Sequence, residues 1–482
     1  MSSYKARDRK SAKRSFLAMQ SFLLIVFVAP AAAATFKAGA ARIDITPPPG
    51  LPMYGFFERI KNHQLASGTL DPLYARVLVL ETDEKRLALV TLDLGRTFNE
   101  LWLDHLRSAA RNNSHIDCLI VAASHTHSGP NILDAHPDEE TAVWQNTTLD
   151  NIILAIQRAT ERLVPARIGA GYGQTYGQGY IGYNRRQLRS DGSVSMLWSN
   201  PSQIPTEPVD PVVTVVRIDD SAGGPLAILV NYACHPVVLG ADNLKYSADF
   251  VGVMLKTVEG AFGDKPICMF LQGADGDINP YYASVPVGQG AIEKLDWTGR
   301  QLGTEAIRLV QSILTRDSPT SSLDFAEDAI VFPVRWDSEK FREGLLRVNG
   351  PAIFQDHADL FVATPPPSTL TLRVTTLLIN KQIAFVGMPG EPFVEFQVDL
   401  RARCPVRDCM LLGYTNGYFD YFPTILAASQ GGYGADDSDT YVAIGAGERM
   451  LDHALIRIHE MLGELKQVPD FTHQDSLVYL VN

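Results

Sequence analysis

Three pairs of β-rich runs, each joined by a short polar turn, constrain the fold of this chain more than anything else in it. Tyr74 to Leu80 and Arg86 to Asp93 flank Asp83-Glu84-Lys85; Pro211 to Asp219 and Leu226 to His235 flank Ser221-Ala222-Gly223-Gly224; Thr369 to Ile379 and Gln382 to Gly387 flank Asn380-Lys381. β-branched alternation interrupted by turn residues reads as antiparallel pairing. Between the pairs lie stripes of helical period. One is Leu149, Ile152, Ile153, Ile156 and Leu163; another is Leu302, Ala306, Leu309, Val310 and Ile313. Strands mixed with helices predict an α/β fold, a single large mixed-sheet domain with flanking helices. No internal repeat is visible. The Pro-rich stretch 365–367 reads as an internal loop and not as a domain boundary. Composition does not shift near the C-terminus, so no C-terminal β-sandwich domain is expected; a helix from about Glu448 to Leu465 and a short tail are.

The first 34 residues read differently. Lys5, Arg7, Arg9, Lys10, Lys13 and Arg14 precede an apolar stretch from Phe22 to Val28, and Ala31 to Ala34 offer small-residue cleavage sites. That is the pattern of a secretory signal peptide, and its apolar part is short for a span of about 20 residues. Residues 1–34 are therefore expected to be removed, leaving 35–482 as one domain exported to the periplasm or medium. The whole chain carries a formal charge of −12, and loss of that basic leader makes it more negative. Such a surface argues against nucleic acid as a partner. Five cysteines are too few for a disulfide scaffold. Cys118, Cys234 and Cys268 lie in apolar runs, whereas Cys404 and Cys409 are close enough to pair in an oxidising compartment.

Candidate chemistry sits at the ends of strand-like runs. Ser124-His125-Thr126-His127-Ser128-Gly129-Pro130 follows Cys118 to Ala123, His235 follows Leu226 to Ala233, and Glu391 follows Ile383 to Val386. An H-x-H pair at a strand end can aim both rings at one site. Two histidines and a glutamate with an open position form a recognised catalytic zinc set. Each residue taken alone has an ordinary explanation: a hydrogen-bonded loop for the histidines, a helix start ahead of Pro392 for Glu391.

Taken in order, the T-H-T-H-S-G-P and C-H-P segments, the P-G-E segment and the tyrosine-rich stretch after it resemble the neutral/alkaline, non-lysosomal ceramidase family. Asp44-Ile45-Thr46-Pro47, Asp71-Pro72-Leu73-Tyr74-Ala75-Arg76, Asn184-Arg185 and Gly276-Asp277 extend the likeness to that family's N-terminal catalytic domain. The resemblance implies one zinc per chain, bound by His125, His235, Glu391 and a tyrosine, with Tyr421 favoured over Tyr418. It implies His127 as acid/base, Tyr433 as the group facing the reacting carbonyl, and Arg185 as a substrate-facing cation or, equally, a surface one. Asp249 and Asp277 are candidates to orient the ligand imidazoles, or else helix and turn caps. The acidic loop Asp436-Asp437-Ser438-Asp439 reads as solvated.

The chain departs from the family in three places. Asn279 stands where the ceramidases carry a characteristic serine, so a metal-activated water is the expected attacking group. Pro392-Phe393-Val394 replaces the usual T-x-x-G-R continuation, and the spacing from Glu391 to the tyrosines is shorter. The implied activity is that of a zinc-dependent amidohydrolase cleaving the N-acyl amide of ceramide, or a ceramide-like lipid, to a fatty acid and sphingosine. Its partner would be that lipid, reached through transient membrane-surface contact. The alternatives are a zinc hydrolase of another N-acyl amide or ester, a non-catalytic binding protein on the same scaffold, and a two-metal phosphoesterase built around Asp93, Asp275 and Asp277.

Overall fold

The computed structural model describes residues 36–132, 138–174, 181–317, 321–349, 367–436 and 439–466. The leader at 1–34, Pro365 and Pro366 of the Pro-rich loop, and residues 437 and 438 of the acidic loop lie outside the described residues. All three predicted hairpins form. Tyr74–Glu81 pairs antiparallel with Arg86–Leu92, Val212–Asp220 with Pro225–Tyr232, and Thr369–Ile379 with Ile383–Gly387.

Each hairpin continues in the same way. A helix runs back along the sheet, and a further strand then pairs parallel to the hairpin's second arm. The helices are Glu100–Ser114, Phe250–Ala261 and Val394–Arg403. The added strands are Cys118–Ala123, Ile267–Gln272 and Asp408–Leu412. The hairpin–helix–strand unit thus recurs three times without a repeat in the sequence. Topology of this kind needs only apolar runs of the right length, so it leaves no residue-level signature.

The first two units, with Lys37–Asp44 and Val164–Gln174 between them, make an eight-stranded mixed sheet; the third, with Leu323–Pro333, makes a separate four-stranded sheet. The expected large mixed sheet with flanking helices is present, and a second, smaller sheet accompanies it. They lie face to face, because one face of each contributes to a shared layer: Leu78, Leu80, Leu229 and Leu271 from the large sheet, Leu377, Ile379, Phe385 and Leu412 from the small one. Side chains one residue along point the other way. Val77, Val79 and Val90 pack under Glu100–Ser114 and Glu139–Glu161, Val215 and Val230 under Phe250–Ala261 and Ala291–Ser312, and Leu378 and Val386 under Val394–Arg403 and Ala446–Leu462. The result is a helix–sheet–sheet–helix sandwich. Strands buried on both faces read as unbroken apolar runs, which is why the sequence does not divide them between sheets.

Local signals set the helix ends. The Asn99 side chain accepts from the Trp102 amide at 3.1 Å and starts the helix after the first hairpin. The helix carrying Leu149, Ile152 and Ile156 stops at Glu161, so Leu163 lies beyond it yet packs on the same core. Cys404 and Cys409 hold free thiols. Among the described residues no helix is long and apolar enough to cross a membrane.

Candidate metal centre

In a parallel pair both strands end on the same side. The three parallel pairs end at Leu92 and Ala123, Tyr232 and Gln272, Gly387 and Leu412. Gln272 ties these ends together. Its side-chain amide donates to the carbonyls of Ser124 (3.0 Å) and Cys234 (2.9 Å), and its main-chain carbonyl accepts from the Gly413 amide (3.0 Å). Ser124 and Cys234 are the immediate neighbours of His125 and His235, so one buried glutamine fixes the roots of both histidines. Carboxyl ends of strands are where α/β sheets carry their sites.

His125, His235 and Glu391 converge there, each almost fully buried. His125 Nε2 is 3.6 Å from Glu391 Oε1, and His235 Nε2 is 3.3 Å from Glu391 Oε2. His125 occupies the left-handed region at φ +70°, a costly conformation for a side-chain-bearing residue. Its amide donates to the Leu94 carbonyl and its Nδ1 to the Gly95 carbonyl at 2.7 Å, which fixes the turn. His235 Nδ1 likewise donates to the Asp275 carbonyl at 2.7 Å. With their protons on Nδ1, both rings present bare Nε2 lone pairs to a carboxylate. His235 Nε2 and Glu391 Oε2 are buried without a hydrogen-bond partner. Acceptor facing acceptor at 3.3 Å is unfavourable unless a cation lies between. This donor set therefore fits a divalent metal of the zinc type.

Electrostatics agree. Burial lowers the pKa of His125 to about 4, with Glu391 opposing, so the ring is neutral at neutral pH. Burial pushes the Glu391 carboxyl up, yet it is held below its ordinary value, with the Tyr418 hydroxyl donating to it. His127 is also held well below its ordinary value, by burial first and then by the two neighbouring histidines. Its Nε2 is 3.1 Å from His125 Nε2, and ligand atoms of all three histidines lie within 4.8 Å of one another.

The tyrosines separate by what their hydroxyls touch. Tyr418 donates to Glu391 Oε1 at 2.6 Å and itself accepts from the Tyr54 hydroxyl at 3.0 Å. Tyr421 lies opposite Glu391 in a short parallel pair, so the two side chains leave the same side of the ladder. Its oxygen accepts from Arg185 Nη2 at 3.1 Å. Tyr433 stands edge-on to Tyr421 at 5.4 Å and to Trp198 at 5.3 Å, with the Arg185 guanidinium 5.1 Å from its ring.

Of the two alternatives open for Asp249 and Asp277, imidazole partner or main-chain cap, both take the second. Asp249 accepts from the amides of Val238, Leu239 and Phe250, capping a helix. Asp277 accepts from the Val394 amide and from Asn184. Neither carboxylate reaches an imidazole, because each is already engaged by main-chain donors. The carboxylate beside His235 is Asp275, with Oδ2 3.3 Å from Nδ1 and Oδ1 accepting from the Tyr414 hydroxyl at 2.8 Å. The Tyr414 ring in turn stacks on His125 at 4.2 Å. Arg185 is buried, not surface-exposed, and donates to Gly276 O, Asn279 Oδ1 and Tyr421. Asp93 pairs with Arg76, so Asp93, Asp275 and Asp277 each answer to different partners and do not build a two-metal site. Sequence reasoning missed Gln272, Tyr54, Tyr414 and Trp198; a Gln-Gly step closing an apolar run was the available sign of the first.

Residues 36–286 match the neutral/alkaline non-lysosomal ceramidase family, N-terminal part. The neutral ceramidase of Drosophila melanogaster is 26% identical over 291 residues, 56% of this chain and 39% of that protein. That of Pseudomonas aeruginosa is 26% identical over 247 residues, 48% of this chain and 35% of that protein. The chain thus spans well under half the length of these curated relatives. The crystal structure of the Pseudomonas aeruginosa neutral ceramidase superposes with a TM-score of 0.68 at 18% identity, covering 91% of this chain and 77% of that one. A structure described as ceramidase complexed with C2 gives 0.70 at 19%, covering 91% and 78%. At that identity the likeness is one of fold. Glu391, Tyr421 and Tyr433 lie beyond the matched residues and join the site through the third hairpin unit.

Proposed function

Because the chain belongs to the neutral/alkaline non-lysosomal ceramidase family, we propose that it is a zinc-dependent amidohydrolase cleaving the N-acyl amide of ceramide, or of a ceramide-like lipid, to a fatty acid and sphingosine. The observation that carries this reading is the pair of imidazoles facing Glu391 with bare Nε2 atoms at 3.6 and 3.3 Å. Zinc would be held by His125, His235, Glu391 and Tyr421. Tyr421 suits the fourth place better than Tyr418, since its oxygen accepts from a cation whereas Tyr418 gives its proton to Glu391. When bound, zinc supplies a Lewis acid for the acyl carbonyl and an acidified water.

The remaining work belongs to side chains. His127, kept neutral by burial, can take a proton at Nε2 and return it to the departing nitrogen. Tyr433, edge-on to Tyr421 at 5.4 Å, would donate to the oxyanion that develops on the carbonyl. Burial disfavours the Arg185 cation, but Tyr421 and Tyr433 hold its pKa well above the ordinary value, so it stays charged and steadies the Tyr421 oxygen. Among the described residues its Nε has no acceptor, which would leave it for substrate. Residues 1–34 are read as an export signal, 35–482 as the catalytic domain, and the partner as a lipid met at a membrane surface.

The test is fatty-acid release from labelled ceramide, compared with a panel of short N-acyl amides. Activity on ceramide that disappears with a chelator and returns with zinc is expected. Turnover unaffected by metal stripping, or confined to short amides or esters, would overturn the proposal.

A further inference from the structure

Arg59 sits in the short helix Phe57–Lys61, where its neighbour Ile60 is 55% exposed, yet its own side chain is 1% exposed. No carboxylate among the described residues pairs with it. Its Nε donates to the Ala241 carbonyl at 3.1 Å, its Nη2 to those of Gly240 (3.2 Å) and Asn243 (2.8 Å), and its Nη1 to those of Tyr54 (2.9 Å) and His127. Burial lowers its pKa to about 10, with Asp242 and Glu58 opposing, so it remains a cation at neutral pH. A guanidinium buried in this way is held by main-chain oxygens from three separate segments. Only its planar five-donor fork can bind all of them at once; an ammonium cannot.

One of those oxygens is His127's own and another belongs to Tyr54, whose ring packs on the His127 imidazole. The Tyr54 ring is 5.5 Å from it and the Phe56 ring 5.4 Å, both edge-on, and the guanidinium lies 4.8 Å from the Phe56 ring. Between them Gly55, at φ +106°, comes so near that a Cβ there would meet His127 Nδ1 at 2.4 Å. The ring is thus boxed by 54–56, its own carbonyl is clamped from below, and its Nε2 is left toward His125. Among the described residues His127 Nδ1 has no hydrogen-bond partner, and the one side-chain contact at its other nitrogen is His125 Nε2 at 3.1 Å. Its main chain and its box must orient the ring.

We propose that Arg59 is a positioning residue for amide cleavage, clamping the carbonyls of His127 and Tyr54 so that the His127 imidazole stays beside the ligand histidines. This rests on the function proposed above. Proton transfer demands close placement, and a misplacement near 1 Å costs on the order of 100-fold in rate.

The experiment uses the full zinc-loaded chain carrying Arg59→Lys or Arg59→Gln, with zinc content, thermal midpoint, kcat and KM measured for each. The expected result is a kcat lower by about 10- to 100-fold, KM changed less than about threefold, and one zinc retained. In a His127→Ala background the same substitution should change the residual rate less than about twofold, because both act through one group. A folded variant with unchanged kcat overturns the proposal, and so does an equal loss in the His127→Ala background. If neither Arg59 variant folds, Phe56→Ala opens the box and carries the same expectation and the same refutation. Reaction of His127 with diethyl pyrocarbonate, read by peptide mapping, needs no turnover: it should rise several-fold in Arg59→Lys. Wild-type protein inactive on ceramide would sink the proposed function alone, while unaltered His127 reactivity would sink the clamp.

Discussion

Replacing Tyr418 by phenylalanine isolates the support of the metal-facing carboxylate. The substitution removes one oxygen and keeps the ring, which stacks on Tyr414 at 6.1 Å. What is lost is the 2.6 Å bond to Glu391 Oε1. Hydrogen bonds to charged groups contribute about 1.5–3 kcal/mol. Among the described residues Glu391 has no second donor to fall back on, since its Oε2 is buried without a partner. The direction is set by the same contacts: burial pushes the carboxyl up and the Tyr418 hydroxyl is among the groups that pull it down, so removing it makes Glu391 hold a proton more readily and a metal less well. Groups of this outer kind typically change metal affinity by about 10- to 100-fold. Zinc affinity of the stripped protein, measured by competition against a chromogenic chelator, should fall by that amount in Tyr418→Phe. It should fall less in Tyr54→Phe, which acts only through Tyr418, and more in Tyr421→Phe. An affinity within twofold of the parent for Tyr418→Phe would refute the reasoning, and a greater loss there than in Tyr421→Phe would exchange the two tyrosines.

His127→Ala should retain one zinc and lose at least about 100-fold in kcat; unchanged turnover would remove it as acid/base. Burial raises the Asp249 carboxyl to about 6, against the pull of the Leu239, Phe250 and Val238 amides. The folded state then binds this proton more tightly than the unfolded chain, whose value is about 3.9, so its contribution is full below about pH 4 and is lost as pH rises through 6. At about two units that is at most about 3 kcal/mol. Urea unfolding of Asp249→Asn should therefore show a flatter decline from about pH 4 to 6 with zinc affinity unchanged; an identical slope would contradict the assignment. N-terminal sequencing of protein recovered outside the cytoplasm should begin near residue 35, and an intact Met1 would remove the export signal.

The hairpins and the strand-end positions of His125, His235 and Glu391 are legible in the sequence because alternation and turn residues report local pairing. The division into two sheets is not. Runs such as Leu377 to Ile379 and Leu78 to Leu80 are apolar on both faces and do not say which sheet they join. Asp249 reads in sequence equally as a partner for an imidazole or as a helix cap, and it caps a helix. Tyr418 and Tyr421, three residues apart, differ only in which group their hydroxyls reach, a tertiary fact. Arg59, between Glu58 and Ile60, looks in sequence like any solvated cation. Only folding brings the carbonyls of Tyr54, His127 and Asn243 to it.

Calorimetric titration of the metal-stripped chain with zinc, beside its His235→Ala and Glu391→Ala variants, tests the central claim most directly. One tight site in the parent, lost in both variants, is the predicted outcome. A parent that binds no zinc or two ions, or a variant that keeps the tight site, would contradict it.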